Sequence, residues 1–240
     1  MSTSIGHMPS GRWSFDESVA SCFDDMVERS IPLYEQKLDM VARLSAQHIR
    51  TGDTILDLGV SRGNAVCKIL ERLSSRAISN VRVVGIDNSK PMLVYARDRL
   101  PESSELIEAD LETDWPYRAS QCKPKVILAL WVAQFISIEN RSKLFARARE
   151  SVASDGCMFV AEKLRGQTST HQAAISKAYS DWKCDNGYTT EEVEAKAESL
   201  KGVLVSLSAP ETKTMLLNEG WWPEEVMRYL GFALYYCVPK

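Results

Sequence analysis

The sequence lacks several features that would assign it to large classes of protein. No stretch of its 240 residues approaches the ~18 consecutive apolar residues of a membrane-spanning helix. Residues 1–11 are polar and lack the apolar core of a signal peptide. Long runs of lysine or arginine are also missing and the formal net charge is −3, which disfavours a nucleic-acid partner. We therefore expect a cytoplasmic protein that acts on a small molecule and binds neither membrane nor nucleic acid.

Metal-binding and disulfide patterns are scarce as well. The six cysteines are scattered without a C-x-x-C pair, and the three histidines, His7, His48 and His171, do not flank them at metal-ligand spacing. We expect reduced thiols and no metal. Apolar residues make up 45% of the chain and charged residues 25%, which is typical of a globular protein with a core of its own.

From residue 54 onwards, apolar runs alternate with helical patterns. Five runs predict strands, at residues 55–60, 81–87, 105–110, 125–131 and 157–163. Continuous apolar runs between helices indicate a parallel sheet that is covered on both faces. Ser89 suits the N-cap, and Pro91 the first turn, of the helix that follows the second strand.

Two further runs near the end, at residues 226–230 and 232–238, predict a closing antiparallel pair. Such a pair is typical of one variant of the doubly wound fold. We therefore expect an α/β protein with a mostly parallel, seven-stranded, Rossmann-like sheet of the class I methyltransferase type.

Two segments lie outside this alternation. Residues 15–48 and 167–200 are helical in pattern and rich in charge, and we expect them to wall a pocket. The predicted organisation is a flexible N-terminus at residues 1–14 and a single domain at residues 15–240. Residues 15–48 form its N-terminal helical cap and residues 167–200 a cap insertion.

A glycine-containing turn follows the first predicted strand. In open α/β sheets, ligands bind beyond the carboxyl ends of the strands, where such a turn brings backbone close to the ligand. Gly59 and Gly63 allow this approach, and Ser61 replaces the usual middle glycine. Asp57, at the strand end, can receive the ammonium group of a bound amino acid.

Acids also end the next two predicted strands. Asp87 lies where a carboxylate accepts hydrogen bonds from ribose hydroxyls, and Asp110 lies where an adenine ring should fall. Each acid by itself is compatible with a loop cap. Together with Asp57 and the glycine turn they favour a nucleoside-containing ligand, and NAD remains an alternative from this pattern alone.

Over most of its length the chain resembles carboxy-S-adenosyl-L-methionine synthase. The matching segments are F-D-E-S-V-A at 15–20, R-S-I-P-L-Y at 29–34, D-L-G-V-S at 57–61, I-D-N-S at 86–89, Q-F at 134–135, E-K at 162–163 and N-G-Y at 186–188. The R-S-I-P block is uncommon among methyltransferases and makes the resemblance specific. It implies S-adenosyl-L-methionine (SAM) as cofactor, a homodimer, prephenate as the source of the carboxyl carbon and a tRNA-modifying partner.

The resemblance also implies roles for residues. It assigns Tyr34 to the cofactor, Gly59, Val60 and Ser61 to its methionine part, Asp87 and Asn88 to the ribose, and Asp110 with Leu111 to the adenine. Asp57 and Leu130 complete the predicted cofactor-binding set.

Two positions depart from the family's pattern. The arginine that grips the added carboxylate aligns with Ala197, and no arginine occurs between Arg165 and Arg228. The asparagine that follows the fourth strand aligns with Leu130, next to Trp131. Because only arginine offers a carboxylate a rigid bidentate fork, we expect a more apolar pocket without an anion clamp, which argues against carboxylation.

Without that clamp, SAM itself is the favoured sole substrate. If its neutral α-amine turns back onto its own γ-carbon, displacement of methylthioadenosine closes a four-membered ring and gives azetidine-2-carboxylate. The sequence is similar to azetidine-forming enzymes of bacterial secondary metabolism. Aromatic faces would line the cationic sulfur and polar groups would orient or deprotonate the amine; the predicted catalytic residues are Trp131, Trp182, Tyr179 and Asp181.

Three alternatives stay open. The first is a conventional methyltransferase with a small-molecule acceptor and the insertion as its specificity lid. The second is a carboxy-SAM synthase that binds its carboxylate in another way. The third is a non-catalytic SAM-binding subunit, which the intact Asp-Gly signature does not support.

Overall fold

The computed structural model describes residues 11–240, apart from the side chains of Tyr117 and Ser120. Residues 1–10, most of the segment predicted to be flexible, lie outside the described residues. Trp13, from the same predicted segment, is 7% exposed, and its backbone N–H donates to the carbonyl of Ser199 at 3.0 Å. The folded chain therefore begins earlier than predicted, because this indole packs against the cap insertion.

Within residues 11–240, seven strands form a mixed sheet in the order β3-β2-β1-β4-β5-β7-β6. The first five are parallel, and β7 pairs antiparallel with both β5 and β6. The predicted seven-stranded, mostly parallel sheet is confirmed. The strands are β1 (Thr54–Leu58), β2 (Arg82–Asp87), β3 (Glu105–Glu108), β4 (Val126–Leu130), β5 (Cys157–Lys163), β6 (Trp221–Tyr229) and β7 (Phe232–Pro239).

Helices cover both faces of this sheet. In chain order they are α1 (Glu17–Ser30), α2 (Tyr34–His48), α3 (Asn64–Ser74), α4 (Lys90–Arg99), α5 (Tyr117–Gln121), α6 (Ile138–Ser151), α7 (Ser169–Asp185), α8 (Thr190–Ser199) and α9 (Ala209–Asn218). The first four bury their apolar residues on one face, and α5, α6 and α9 on the other. No helix in this described part of the chain has the length and apolar character needed to cross a membrane.

The central strands form where the sequence is continuously apolar. All five residues of β1 are buried, and β5 is buried except for its last residue, Lys163. Strands that are covered on both faces need such runs, which explains why they were predictable. From β1 the chain adds β2 and β3 on one side of the sheet, and then returns to add β4 and β5 on the other side. A crevice opens at the carboxyl ends of β1 and β4, where this order reverses.

Capping residues set where several helices begin. The Ser89 hydroxyl accepts the N–H of Met92 at 3.3 Å, which confirms the predicted N-cap of α4. Helix α9 was not predicted, although the segment S-A-P-E at 208–211 forms a capping box and places a proline at its start. Strand β6 begins at Trp221, earlier than predicted, because this fully buried indole belongs to the core and donates to the Phe145 carbonyl at 3.0 Å.

Ser30, from the R-S-I-P block, joins the two predicted cap segments. Its carbonyl accepts the hydroxyl of Tyr179 on α7 at 2.7 Å. Its side-chain oxygen lies 3.1 Å from the Tyr188 hydroxyl and accepts from Lys196 Nζ on α8 at 3.0 Å. The block therefore ties the end of α1 to both helices of the insertion.

Candidate active site

A cavity of about 730 Å³ lies at the carboxyl edge of the sheet, in the range of roughly 300–1,000 Å³ that small-molecule sites occupy. Two of the predicted catalytic residues, Trp131 and Tyr179, line it. So do all of the predicted cofactor-binding residues: Tyr34, Asp57, Gly59, Val60, Ser61, Asp87, Asn88, Asp110, Leu111 and Leu130. Among the described residues, no group of three or more His, Cys, Asp or Glu side chains is placed to hold a metal ion.

Asp181 and Trp182 do not line this cavity, which corrects their assignment as catalytic residues. Asp181 is exposed and pairs with Lys177 at 3.1 Å, and Trp182 stacks on Tyr179 with ring centroids 6.2 Å apart. An α-helix turns by about 100° per residue, so a side chain two positions after the inward-facing Tyr179 points to solvent. The residue four positions after it, Lys183, returns to the same face and is buried.

The turn after β1 is held by backbone hydrogen bonds to β2. The N–H groups of Gly59 and Val60 both donate to the Ile86 carbonyl, at 2.8 and 2.9 Å. Gly59 (φ 85°) and Ser61 (φ 50°) are left-handed. The Ser61 N–H donates to Asp87 Oδ2 at 2.8 Å, which stabilises a backbone conformation that residues other than glycine rarely adopt.

Gly59→Ala tests the need for glycine in this turn. An added Cβ would lie 2.8 Å from Cγ2 and 2.9 Å from Cβ of Val132. We expect the free energy of unfolding, measured by urea denaturation, to fall by about 2 kcal/mol from the clash and the left-handed backbone together. Gly52→Ala is the matched control, because Gly52 has φ 87° but nothing within 4 Å of its added Cβ. Equal losses in both variants would contradict the role of Val132.

Two acids end neighbouring strands in the cavity. Asp57 is 3% exposed, and no hydrogen-bond donor among the described residues reaches its carboxyl group. Burial, and then the charge of Asp87, raise the pKa of Asp57 to about 8. Asp87 is partly buried, and this desolvation raises its pKa, but it accepts the N–H groups of Ser61 at 2.8 Å and Ser89 at 2.9 Å. The cavity thus offers an unpaired proton acceptor beside a carboxylate that is fixed in place.

Aromatic rings wall the part of the cavity beyond β4 and β5. The ring centroids of Tyr34 and Trp131 lie 5.3 Å apart, and those of Tyr179 and Phe232 lie 5.1 Å apart. Trp131 has φ 56°, held by a 2.7 Å hydrogen bond from its N–H to the Ala161 carbonyl. A bulky residue with positive φ is uncommon and is concentrated at functional sites. Aromatic faces in this arrangement suit a cation such as sulfonium.

Three lysines gather at the same end of the cavity, and none of them was among the predicted site residues. Lys163, at the end of β5, and Lys196, on α8, line the cavity, and Lys183 on α7 is buried nearby. The cavity is therefore less apolar than expected: no arginine within residues 11–240 lines it, but the ammonium groups of Lys163 and Lys196 do. The four-residue spacing from Tyr179 to Lys183 was the available signal, because it places both on one helix face.

The fold and the cavity define the class of protein. A profile described as "Methyltransferase domain" matches residues 55–156. The structure of DhpI in complex with SAH superposes with a TM-score of 0.61 at 17% identity, covering 93% of this chain and 92% of that one. An O-methyltransferase family protein from Burkholderia thailandensis gives 0.65 at 13% identity, covering 95% and 64%. The protein is a SAM-dependent enzyme with a class I methyltransferase fold.

Relatives in sequence narrow the class to a family. The carboxy-S-adenosyl-L-methionine synthase of Trichodesmium erythraeum is 31% identical over 209 residues, which cover 87% of this chain and 81% of the relative. That of Wolinella succinogenes is 31% identical over 229 residues, covering 93% and 92%. The chain belongs to the family of carboxy-S-adenosyl-L-methionine synthases.

Proposed function

We propose that this enzyme uses SAM as its own substrate and closes the aminobutyryl chain into azetidine-2-carboxylate, with release of methylthioadenosine. The observation that carries the proposal is Asp57, a buried carboxyl group in the cavity with a pKa raised to about 8. Ring closure needs a neutral α-amine and therefore a proton acceptor beside it. A carboxylate with a raised pKa is the stronger base for this task.

The proposed step balances in atoms and charge. Asp57 accepts one proton from the α-ammonium group. The freed nitrogen lone pair forms a bond to the γ-carbon while the bond from that carbon to sulfur breaks, and its electron pair leaves with the sulfur of methylthioadenosine. The ring nitrogen keeps two hydrogens and one positive charge, and Asp57 returns its proton to solvent.

The rest of the cavity favours this step. The rings of Tyr34, Trp131 and Tyr179 can flank the cationic sulfur and exclude water from a compact conformer of the substrate. The lysines in the same cavity disfavour a further positive charge, which lowers the cost of deprotonating the amine. Asp87 would hold the ribose, through oxygens that the backbone already orients.

Carboxylation of SAM is the second candidate function. The relatives quoted above are named for that product. Lys163 and Lys196 supply counterions for a carboxylate in place of the arginine that the chain lacks. The family resemblance points to prephenate as the carboxyl source.

Product analysis separates the candidates. The purified enzyme is incubated with SAM alone, with SAM plus prephenate, and with SAM plus small-molecule acceptors, and products are identified by mass spectrometry. Equal amounts of methylthioadenosine and azetidine-2-carboxylate from SAM alone, above a sample without enzyme, are expected. Carboxylated SAM that forms only with prephenate would assign the family reaction instead. S-adenosylhomocysteine that forms only with an acceptor would assign methyl transfer.

A further inference from the structure

Three elements bring lysines to two tyrosine rings at one end of the cavity. The Nζ atoms of Lys163 and Lys183 lie 4.6 and 5.1 Å from the ring centroid of Tyr179. Those of Lys183 and Lys196 lie 5.6 and 5.7 Å from the ring centroid of Tyr188. β5, α7 and α8 therefore place three ammonium groups around one pair of rings.

These charges have no acidic partner within the described part of the chain. The ion pairs found among residues 11–240 do not include Lys163, Lys183 or Lys196, and no carboxylate offsets their burial. The aromatic faces compensate a part of the charge. Lys183 and Lys196 are buried and Lys163 is partly buried. Gathering three cations without an acidic partner at such a place is costly, and an anion bound among them would offset that cost.

We propose that Lys163 and Lys196 bind a carboxylate group of a small-molecule ligand, while Lys183 adds positive charge from behind Tyr179. The first two line the cavity. The hydroxyls of Ser30 and Tyr179 are already paired with protein atoms, so two ammonium groups remain to face the ligand. Two donors suit the two oxygens of a carboxylate better than the three charged oxygens of a phosphate.

Burial lowers the pKa values of these lysines, and a bound anion would raise them again. Burial, and after it the positive charge of neighbouring lysines, lowers the pKa of Lys196 to about 7 and that of Lys183 to about 8. Burial also lowers the pKa of Lys163. Such shifts are expected of cations without an anionic neighbour.

The carboxylate has two possible sources, and the inference rests on the proposed use of this cavity for SAM. In ring closure it is the α-carboxylate of SAM itself, which would draw the aminobutyryl chain toward the lysines. In carboxylation it belongs to a free organic acid bound beside SAM. The chemistry that the lysines recognise is the same in both cases.

Calorimetric titration of Lys163→Met and Lys196→Met tests the subsite. Methionine keeps an unbranched chain and removes the charge. Each variant is titrated with S-adenosylhomocysteine, which carries the α-carboxylate, with methylthioadenosine, which lacks it, and with prephenate in the presence of saturating S-adenosylhomocysteine. We expect one carboxylate ligand to bind about tenfold more weakly, because a charge-assisted hydrogen bond is lost, while methylthioadenosine binds as to the wild type.

The ligand that loses affinity identifies the source of the carboxylate. Lys183→Met should show a smaller loss, because Lys183 does not line the cavity. Lys177→Met is the matched control and should bind all three ligands normally, since Lys177 is exposed on the same helix and pairs with Asp181. Lys196→Gln, which can still hydrogen-bond to Ser30, replaces Lys196→Met if that variant fails to fold.

Normal affinity for both carboxylate ligands in folded Lys163 and Lys196 variants would overturn the subsite. The result does not depend on turnover. If the variants lose affinity but the wild type forms no azetidine-2-carboxylate, ring closure fails and the subsite stands. If the wild type forms azetidine-2-carboxylate and the variants bind normally, ring closure stands and the subsite fails.

Discussion

Asp57→Asn is expected to reduce kcat for conversion of SAM to azetidine-2-carboxylate by about 10²–10⁴-fold, the usual contribution of a general base. Asparagine keeps the shape of the buried side chain on β1 but cannot accept the amine proton. Affinity for S-adenosylhomocysteine should fall by only about tenfold, because one charge-assisted contact to the ammonium is lost. The loss therefore appears chiefly in kcat, which a positioning role alone would not produce.

The pH dependence of the wild-type rate should report the same group. Asp57 can accept a proton only when it is ionised, and its pKa is about 8. Below that pH the ionised fraction of Asp57 in the free enzyme, and with it kcat/KM measured at SAM concentrations well below KM, rises about tenfold per pH unit, and it levels off above. Methylthioadenosine release measured between pH 6 and pH 9 should show this rise in the wild type and lack it in Asp57→Asn.

Asp53→Asn is the control for this variant. Asp53 precedes the other end of β1 and does not line the cavity, so the substitution removes the same charge without touching the site. We expect its kcat and pH profile to match those of the wild type. An unchanged kcat in Asp57→Asn, with or without an increase in KM, would show that Asp57 holds the amine as ammonium, as carboxylation or methyl transfer requires.

The central strands were predictable because burial on both faces leaves a continuous apolar run. β5 was predicted at residues 157–163 and is found at Cys157–Lys163. The start of β6 was missed, because its residues alternate between buried and exposed and include a proline, Pro223. Helix α9 has few buried residues, so the periodicity of its apolar residues does not indicate a helix. Its capping box was the sequence signal for where it begins.

The cofactor side of the site is local in sequence, and the opposite side is not. The turn at Gly59 and the strand-end acids follow directly from the βα pattern. The contact between Lys196 and Ser30 joins residues 166 positions apart, which no local pattern reveals. Asp181 differs for another reason: it is a polar neighbour of Tyr179 in sequence, but the phase of helix α7 turns its side chain to solvent.

Asp87→Ala is expected to weaken binding of S-adenosylhomocysteine by about 100-fold or more, because two charge-assisted hydrogen bonds to the ribose would be lost. The substitution also removes the acceptor for the N–H groups of Ser61 and Ser89, so the left-handed turn at Ser61 loses its anchor. Both effects act on the nucleoside. Asp98→Ala, which removes an exposed acid on the following helix, should bind normally.

Methylthioadenosine distinguishes the roles of the two acids, because it carries the ribose but neither the amine nor the carboxylate. Asp87→Ala should weaken methylthioadenosine and S-adenosylhomocysteine by the same factor, whereas Asp57→Asn should weaken S-adenosylhomocysteine alone. Asp87→Asn, which keeps one oxygen acceptor, should lie between the wild type and alanine. Unchanged binding of methylthioadenosine to a folded Asp87→Ala variant would show that Asp87 does not bind the ribose. The placement of the amine at Asp57, which depends on that assignment, would then fail as well.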